Sequence, residues 1–384
     1  MVFFFIGSFC GSLSQFKAHQ LGSIVIKEVL QRAKLKPSDV SEVIMGQALS
    51  AGEGQNPARQ AAVNAGIPVS VPAFTVNKLC GSGLQSVILG IRSLRCGDSR
   101  VVVCGGQESM SQSPHCINMR SGVKMGNASL ADTLLKDGLT DAFSNIHMGV
   151  TAENVAEKYS ISRSVQDDFA LESQKKTEAA QKSGVFRSEI VEVTVEGKKG
   201  STVVSQDEHP RHGTTSEGLK RLKPVFLEAG TVTAGNASGV NDGAAVVVLT
   251  KESVASQLGL PVMAKIIAYA EVGIEPEFMG MAPVPAIQDV LRRAGWSHED
   301  VDLFEINEAF AAQSVAVIKE LGLKEEKVNV NGGAIALGHP IGASGARILV
   351  TLIHNLVLKH LKKGVAALCI GGGMGVAVAI EIIV

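Results

Sequence analysis

The stretch SGLQSVILGIRSLRCGDSRVVVCGG, residues 82–106, combines a helix pattern with a strand pattern that ends in two glycines. Apolar residues recur at helical intervals from Gly83 to Leu94, and Arg100 to Cys104 is typical of a short buried strand. Residues 344–372, SGARILVTLIHNLVLKHLKKGVAALCIGG, repeat the same order over a slightly longer span. This similarity indicates an internal duplication, although two unrelated βα units would look the same by chance. Two related halves would bring equivalent turns to a shared interface, where active sites often lie.

The rest of the chain also alternates between helix and strand patterns. Leu21 to Ala33 has helical apolar spacing, and Val40 to Met45 is rich in β-branched residues. Such alternation predicts an α/β architecture with sheets covered by helices. Residues 112–235 are more polar and read as an inserted unit, with helices over 152–159 and 165–183. An insertion of this kind can form a lid or a ligand-holding arm.

Composition excludes several classes of protein. The 384 residues are 45% hydrophobic and 19% charged, with 36 basic against 37 acidic side chains, which fits a well-packed protein of two or three units. The neutral charge, one Trp and two Tyr disfavour nucleic-acid binding. Six cysteines without CxxC spacing predict neither a disulfide framework nor a metal site. We expect no transmembrane helix, and Met1 to Ile6 resembles no targeting signal, so the cytoplasm is the predicted location.

Two cysteines and a histidine lie in glycine-rich turns. Cys80 precedes Gly-Ser-Gly at a strand-to-helix junction, where the field of a helix N-terminus favours the thiolate. His339, between Gly338 and Pro340, is a natural base or ion-pair partner for such a thiol. The alternatives are a small buried hydrophobe for Cys80 and a hydrogen-bonded turn residue for His339.

Cys369 ends the second strand and precedes three glycines. The backbone N–H groups of Gly371–Gly373 would be open to an oxyanion, and one such donor contributes about 3 kcal/mol in a transition state. Alternatively, Cys369 is a structural strand-end cysteine like Cys104. Asn307 follows the strand pattern 301–306, and it is either the N-cap of the next helix or the holder of a catalytic water. No GxxxxGK[ST] motif or strand-linked GxGxxG occurs, which disfavours ATP and NAD sites.

These motifs, in this order, resemble those of the thiolase family, most closely the acetyl-CoA acetyltransferases of the cytosolic type. The segments that carry the resemblance are Cys80–Gly83, Asn236–Ala245, Asn307–Phe310, Asn331–Pro340 and Cys369–Gly375. It extends over nearly the whole chain, from Ile6 to the C-terminus.

The resemblance implies a five-layer αβαβα fold made of two duplicated core domains and an inserted loop domain. We expect the N-terminal core to comprise residues 1–111 and 236–260 and the C-terminal core residues 261–384. Residues 112–235 would form the CoA-binding loop domain.

The resemblance also implies a reversible Claisen condensation of two acetyl-CoA to acetoacetyl-CoA and CoA. Cys80 would attack the thioester and carry the acyl group, with His339 helping to form the thiolate. Cys369 would remove the α-proton of the second acetyl-CoA. His339 and a water on Asn307 would stabilise the enolate oxygen, and the N–H groups of Cys80 and Gly371 the tetrahedral intermediate.

A set of residues is assigned to CoA and acyl binding by the same resemblance. It comprises Leu139, His147, Met148, Arg211, Phe226, Ala234, Ser238, Met279, Ala309 and Phe310. Bulky Met148, Met279 and Phe310 would favour acetyl over longer acyl groups. Gly218 stands where the family often has a serine, which removes a modest hydrogen bond to CoA.

The implied partners are acetyl-CoA, acetoacetyl-CoA and CoA as substrates, with no metal or redox cofactor, in a homotetramer built as a dimer of dimers. Two other functions stay open: a 3-ketoacyl-CoA thiolase of fatty-acid degradation, and a non-catalytic acyl-CoA-binding or scaffold protein. A condensing synthase is disfavoured, since such sites have a histidine where this chain has Cys369.

The N-terminus departs from the family pattern. Thiolases usually begin with a strand that runs into Ala-Arg-Thr-Pro, whereas only Met1 to Phe5 precede Ile6 here. We therefore expect the first strand to be missing or shortened, as in an alternative-start or truncated product, with a cost to stability and assembly. Alternatively, Phe3 to Phe5 fill part of the gap.

Overall fold

The protein is described by a computed structural model over residues 2–4, 6–197 and 200–383, and helices alternate with strands along it. The helices are α1 Ala18–Ala33, α2 Pro57–Asn64, α3 Ser82–Cys96, α4 Met148–Lys158, α5 Arg163–Ser183, α6 Ser216–Lys220, α7 Glu252–Leu258, α8 Pro283–Ala294, α9 Ala311–Leu321, α10 Ala334–Leu337 and α11 Ser344–Leu358. In these ranges no helix is both long and apolar enough to cross a bilayer.

The strands fall into two large sheets and two small hairpins. They are β1 Val2–Phe4, β2 Gly7–Ser8, β3 Glu42–Gly46, β4 Ala73–Val76, β5 Val101–Ser109, β6 His115–Cys116, β7 Ala131–Asp132, β8 Ile190–Val191, β9 Val193–Gly197, β10 Gly200–Val204, β11 Asn241–Thr250, β12 Ala264–Gly273, β13 Leu303–Ile306, β14 Lys363–Ile370 and β15 Met374–Ile382.

Five layers result from the packing of helices on the two large sheets. The N-terminal sheet has the order β4-β3-β5-β11-β1-β8 with β2 beside β11, and the C-terminal sheet has the order β12-β15-β14-β13. α1 and α2 cover the outer face of the first sheet, and α8, with α9 beside it, covers the outer face of the second. α3 and α11 lie between the sheets and contact both. The predicted five-layer α/β fold is confirmed.

The duplication is visible in the strand pairings. In the first sheet β3 is parallel to β5, β5 is antiparallel to β11, and β11 is antiparallel to β1. The second sheet repeats this order, since β13 is parallel to β14, β14 is antiparallel to β15, and β15 is antiparallel to β12. The two βα patterns that suggested a repeat are therefore equivalent units, α3–β5 and α11–β14.

The first strand is short compared with its counterpart. β1 has three residues, whereas the equivalent β12 has ten. The backbone of Val2–Phe4 nevertheless bridges the sheet, because it pairs with β11 on one side and with β8 on the other. Phe5, which the sequence suggested as part of a replacement strand, lies outside the described residues.

The inserted segment 112–235 belongs to two parts of the fold. α4 packs on α9 and on the helical turn Pro276–Met281, and α5 packs on α9, so both contact the second half of the chain. β8, from the same insertion, instead completes the N-terminal sheet beside β1. The expectation of a separate loop domain missed this strand, whose two buried residues carry little sequence signal.

Direct backbone contact joins α3 to α11. A Cβ added to Gly83 would lie 2.7 Å from the Ala346 nitrogen, and one added to Gly345 would lie 2.8 Å from the Leu84 Cβ. Real side chains do not approach so closely, so only glycine fits at either position. The two glycines let the first turns of the duplicated helices cross at the centre of the molecule.

A buried polar cluster lies beside this central layer. Arg347 of α11 is 2% exposed, and its Nη1 is 4.0 Å from Oε2 of Glu305 on β13. Burial raises the pKa of Glu189 to about 8, and Arg347 only partly opposes this. In the same way, burial raises the pKa of Glu305 to about 8 and that of Asp207 to about 7. The charge of Arg347 therefore lowers the pKa of all three buried carboxyl groups, but burial raises each of them by more.

We expect Gly345→Ala to lower the free energy of unfolding by about 1–3 kcal/mol, because the added methyl overlaps Leu84 in a layer that cannot move outward. Urea denaturation followed by circular dichroism measures the change. Gly273→Ala is the matched control, since its new methyl would meet nothing closer than 3.9 Å. Equal stability of the two variants would contradict the close crossing of α3 and α11.

We expect the urea midpoint to fall as pH rises from about 6.5 to 8.5. Glu189, Asp207 and Glu305 have higher pKa values in the folded protein than in the unfolded chain, because burial disfavours their charged forms. The stability that they contribute is complete below their ordinary pKa values and is lost as pH rises through about 7 to 8. Glu189→Gln should flatten this decline, and an unchanged slope would contradict the assignment.

The buried histidines change the stability of the folded protein in a lower pH range than the carboxyl groups do. Burial lowers the pKa of His209, His339 and His354 to about 4, so their contribution is present above about 6.5 and is lost as pH falls. Near pH 6.5 the unfolded chain still releases their protons, so the histidines oppose the decline there; well above pH 6.5 they are neutral in both states and no longer contribute to the slope.

Candidate active site

Cys80 lies in the tight turn Leu79–Gly81, directly before α3. Leu79 has a φ of 47°, a left-handed conformation that is rare for leucine. Ser82 holds the turn, because its hydroxyl donates to the Leu79 carbonyl and accepts from the Lys78 N–H. A side chain at Gly81 would overlap Ile370, so the turn rests against the end of β14.

The electrostatics at Cys80 differ from the sequence expectation. The thiol was expected to ionise easily at a helix N-terminus, but burial raises its pKa to about 11. The N–H groups of Gly371 and of Cys80 itself lower it, and the charge of Glu108 raises it further. Desolvation outweighs the helix field, and the resting nucleophile is a neutral thiol.

Cys369 is fully buried at the end of β14. Burial raises the pKa of its thiol far above the usual range, and the charge of Cys80 raises it further. The neighbouring backbone agrees, because side chains added at Gly81 and Gly371 would meet Ile370 and Leu79, so the Cys80 turn packs on the end of β14. The structure brings the two predicted cysteines together, and neither is an isolated structural residue.

The glycines after Cys369 form a sharp turn beside the Cys80 loop. Gly372 and Gly373 both have φ values of 79°, which glycine adopts readily. A Cβ on Gly371 would lie 3.0 Å from Leu79 and 3.4 Å from the Met148 sulfur. The Gly371 N–H is thereby directed at the Cys80 thiol.

His339 is held by its backbone and by one ring nitrogen. Its N–H donates to the Asn241 side chain at 2.9 Å, and Asn241 also donates to the Gly7 carbonyl at 2.9 Å. The Nδ1 atom is 2.5 Å from the Ser344 Oγ, which in turn donates to the Pro340 carbonyl at 2.8 Å.

This geometry determines the tautomer of the imidazole. Because the single Ser344 hydrogen points to Pro340, the hydroxyl accepts from Nδ1–H, and Nε2 carries the free electron pair. Nε2 is buried and has no hydrogen-bond partner in the part of the chain that the structure describes. Burial, and secondly Arg347, lower the pKa of His339 to about 4. His339 is therefore a neutral base with an unoccupied acceptor.

Asn307 follows β13 and is buried, with both amide atoms lacking a hydrogen-bond partner among the described residues. α9 begins later, at Ala311, with Phe310 as its N-cap. The interpretation of Asn307 as a helix cap is therefore wrong. A buried amide without partners implies a bound water or a ligand oxygen.

Most of the residues predicted to bind the acyl group form two apolar clusters around the cysteines. Leu139 packs with Cys80. The cluster that contains Cys369 includes Met148, Met279, Ala309 and Phe310. Phe226, which the resemblance places near the nucleotide end of CoA, instead packs against this cluster. The structure thus brings together the thiols and the bulky residues expected to limit the cavity.

The remaining predicted residues lie farther out. The His147 ring stacks on Phe226 with centroids 4.6 Å apart. The Ser238 N–H donates to the Ala309 carbonyl at 3.0 Å, which places this residue at the rim. Arg211 and Ala234 are exposed and belong to neither apolar cluster.

Three polar residues that hold the site were missed in the sequence. Asn241 and Ser344 lie inside recognisable glycine-rich motifs, but their contacts with His339 depend on the tertiary fold. Glu108 follows Gly105–Gly106 at the end of a buried strand, and an acidic residue at such a position is the signal that would have found it.

The chain matches two domain families over almost its whole length. The thiolase N-terminal domain matches residues 4–253, and the thiolase C-terminal domain matches residues 260–382. The division into two cores and a loop domain at the expected residues stays a prediction.

Individual proteins are similar over the same span. The cytosolic acetyl-CoA acetyltransferase of Rattus norvegicus is 58% identical over 378 residues, which cover 98% of this chain and 95% of the relative. The crystal structure of the Bacillus anthracis acetyl-CoA acetyltransferase superposes with a TM-score of 0.97 at 45% identity, covering 100% of this chain and 97% of that one. Human mitochondrial 3-ketoacyl-CoA thiolase also gives 0.97, at 44% identity and the same coverage. With both domain families matched and a relative 58% identical over 98% of its length, this chain belongs to the thiolase family.

Proposed function

We propose that this thiolase is an acetyl-CoA C-acetyltransferase, which condenses two acetyl-CoA to acetoacetyl-CoA and CoA and catalyses the reverse thiolysis. The observation that carries the proposal is the packing of the Cys80 turn on the end of β14, which carries Cys369, together with a buried His339 whose Nε2 has no partner among the described residues. Acetyl-CoA acetyltransferases at 54–58% identity support the assignment.

The first half-reaction acylates Cys80. Nε2 of His339 takes the thiol proton while the sulfur attacks the carbonyl carbon of acetyl-CoA. The N–H groups of Cys80 and Gly371 stabilise the oxyanion of the tetrahedral intermediate. The C–S bond to CoA then breaks, and the departing thiolate takes the proton of Cys369. Acetyl-Cys80, imidazolium and the Cys369 thiolate remain, and the last two charges stabilise each other.

The second half-reaction forms the C–C bond. The Cys369 thiolate removes the α-proton of a second acetyl-CoA, and its strongly raised pKa makes it a suitable base for this weak acid. The imidazolium and a water held by Asn307 stabilise the enolate oxygen. The enolate attacks acetyl-Cys80, acetoacetyl-CoA leaves, and His339 returns its proton to the Cys80 sulfur. CoA thioesters are the only reactants, so no metal or redox cofactor takes part.

The size of the acyl pocket favours the short substrate. Met148, Met279 and Phe310 are buried in one cluster with Cys369, and we expect their bulk to limit the space for a longer acyl chain. The alternative, a 3-ketoacyl-CoA thiolase, uses the same chemistry with a wider pocket. A non-catalytic acyl-CoA-binding protein would not need a second thiol with a raised pKa.

We expect Cys80→Ala to abolish the acetyl adduct that mass spectrometry detects after incubation with acetyl-CoA. Cys369→Ala should retain the adduct, because the CoA thiolate is a stable enough anion to leave without the Cys369 proton. It should lose thiolysis of acetoacetyl-CoA by roughly 10²–10⁴-fold, because proton transfer at the α-carbon needs this residue. Cys104→Ala, which removes a buried thiol outside the pocket, is the control and should keep both activities.

Substrate length separates the candidate functions. Wild-type protein should cleave acetoacetyl-CoA faster than a long-chain 3-ketoacyl-CoA, and the reverse order would identify the fatty-acid enzyme. Absence of an acetyl adduct on wild-type protein would favour the binding protein.

The protein is further proposed to be a cytoplasmic homotetramer. The name of the rat relative as cytosolic supports the location. For the assembly, the support is a row of exposed apolar side chains between β6 and β7, a segment that projects from the core: Ile117, Met119, Val123, Met125 and Leu130. A contiguous exposed apolar segment is typical of an interaction surface.

We expect multi-angle light scattering to give a tetramer for the wild type and a smaller species for Met125→Glu. Met125 is 94% exposed, so the change should not disturb the fold of the subunit itself. Val203→Glu, at another exposed apolar position, is the control and should stay tetrameric. A tetramer for Met125→Glu would exclude this segment as the contact.

A further inference from the structure

Glu108 is a fully buried acid that the proposed reaction does not use. It lies at the end of β5, two residues after Gly106, and is 0% exposed. Burying a carboxylate is unfavourable unless hydrogen bonds compensate for the lost water. Its partners therefore indicate what this position stabilises.

The carboxylate joins two loops that are far apart in sequence. Oε2 accepts from the Ala48 N–H at 3.0 Å and from the Gly342 N–H at 2.7 Å, and Oε1 accepts from the Leu49 N–H at 3.1 Å. The first loop follows β3 in the N-terminal half, and the Gly342 turn precedes α11 in the C-terminal half. Hydrogen bonds to a charged acceptor are stronger than neutral ones.

Both loops form the wall around the nucleophile. Ala48 and Leu49 from one loop and Ile341 from the other pack in one cluster with Cys80. The second loop also carries His339, three residues before Gly342. A shift of this turn would therefore change the distance between the imidazole and the thiol.

The turn is also confined by backbone contacts. A Cβ on Gly342 would lie 2.7 Å from the Gln47 Cα and 2.8 Å from the Glu108 Oε2. A Cβ on Gly106 would lie 2.7 Å from the Ala343 Cα. With this little space on both sides, the Glu108 hydrogen bonds fix the turn in one position.

We propose that Glu108 is a positioning residue, which holds the Gln47–Leu49 loop and the Pro340–Gly342 turn as one unit and so sets the place of His339 relative to the Cys80 sulfur. This inference rests on the roles of Cys80 and His339 in the proposed function. All three partners are N–H donors, so the ionised carboxylate fits the site, whereas a protonated oxygen would oppose an N–H group.

The charge of Glu108 adds an effect that a purely structural residue would lack. It disfavours the Cys80 thiolate and so adds to the larger effect of burial, which keeps the resting thiol protonated. Burial raises the pKa of Glu108 itself to about 7, the three N–H groups lower it, and Glu53 raises it slightly. Among the described residues, Glu108 is the one titratable group whose charge acts on the Cys80 thiol, and the Cys80 charge in turn raises the pKa of Cys369.

Glu108→Gln tests the proposal. The amide keeps at most the two bonds of one oxygen, and its NH2 group then opposes the Leu49 N–H. We expect the rate of Cys80 acetylation by acetyl-CoA, per folded molecule, to fall about tenfold to a hundredfold. Without the negative charge, the pH midpoint of Cys80 alkylation by iodoacetamide should shift downward.

Asp302→Asn is the matched control. The Asp302 carboxylate also accepts two backbone N–H groups, from Lys362 and Lys363, but at the end of β14 opposite to Cys369. The Asp302→Asn variant should leave the rate of Cys80 acetylation and the pH midpoint of Cys80 alkylation unchanged. Wild-type acetylation in Glu108→Gln, or an equal loss in Asp302→Asn, would overturn the proposal.

Gly342→Ala tests the position of the Pro340–Gly342 turn without changing the charge of Glu108. It also replaces Glu108→Gln if that variant does not fold. Its methyl displaces the turn while the carboxylate stays, so acetylation should fall without a downward shift of the alkylation midpoint. Wild-type acetylation in Gly342→Ala would overturn the positioning role. A wild-type protein that iodoacetamide alkylates at Cys80 but acetyl-CoA never acetylates would refute the proposed function. Because alkylation needs no acetyl-CoA, the effect of the Glu108 charge on the Cys80 thiol could still be measured in that case.

Discussion

The close approach of α3 and α11, which Gly83 and Gly345 permit, is the constraint on which the rest of the structure depends. Because neither helix has a side chain at the crossing, the first turns of α3 and α11 meet backbone to backbone between the two sheets. The turns that precede these helices carry Cys80 and His339, and the strand after α11 ends at Cys369. Three reacting groups from distant parts of the sequence thus converge because two copies of one βα unit share a single point of contact.

The closed central layer also explains the chemistry of the pocket. Burial outweighs the field of the α3 N-terminus, so the thiols hold their protons and the imidazole stays neutral. Charge separation then occurs only when a thioester supplies an oxyanion that backbone N–H groups can stabilise. A thiol with a strongly raised pKa, Cys369, is unreactive at rest but is a strong base once ionised. The same low polarity therefore protects the resting enzyme and activates the intermediate.

Much of this site could be predicted from the sequence, because its parts leave local signals. Cysteines and a histidine beside glycines identified the reacting groups, and the repeated helix–strand pattern of residues 82–106 identified the duplicated core. Properties that depend on distant neighbours were missed. The pKa of Cys80 depends on burial by other segments, the role of Asn307 on a helix that begins four residues later, and β8 on pairing with β1.

The short β1 strand has a consequence for the order in which the chain folds. Val2 pairs with Val246, and Phe3 pairs with both Ala245 and Ile190. During synthesis β1 therefore cannot pair with β11 until about two thirds of the chain has left the ribosome. Pairings with such long sequence separation form slowly, since the intervening loop must first be ordered. The second half has no such delay, because β12 to β15 follow one another within a single continuous segment. The N-terminal sheet thus depends on pairings between distant segments, whereas the C-terminal sheet can form as soon as its own segment has been synthesised.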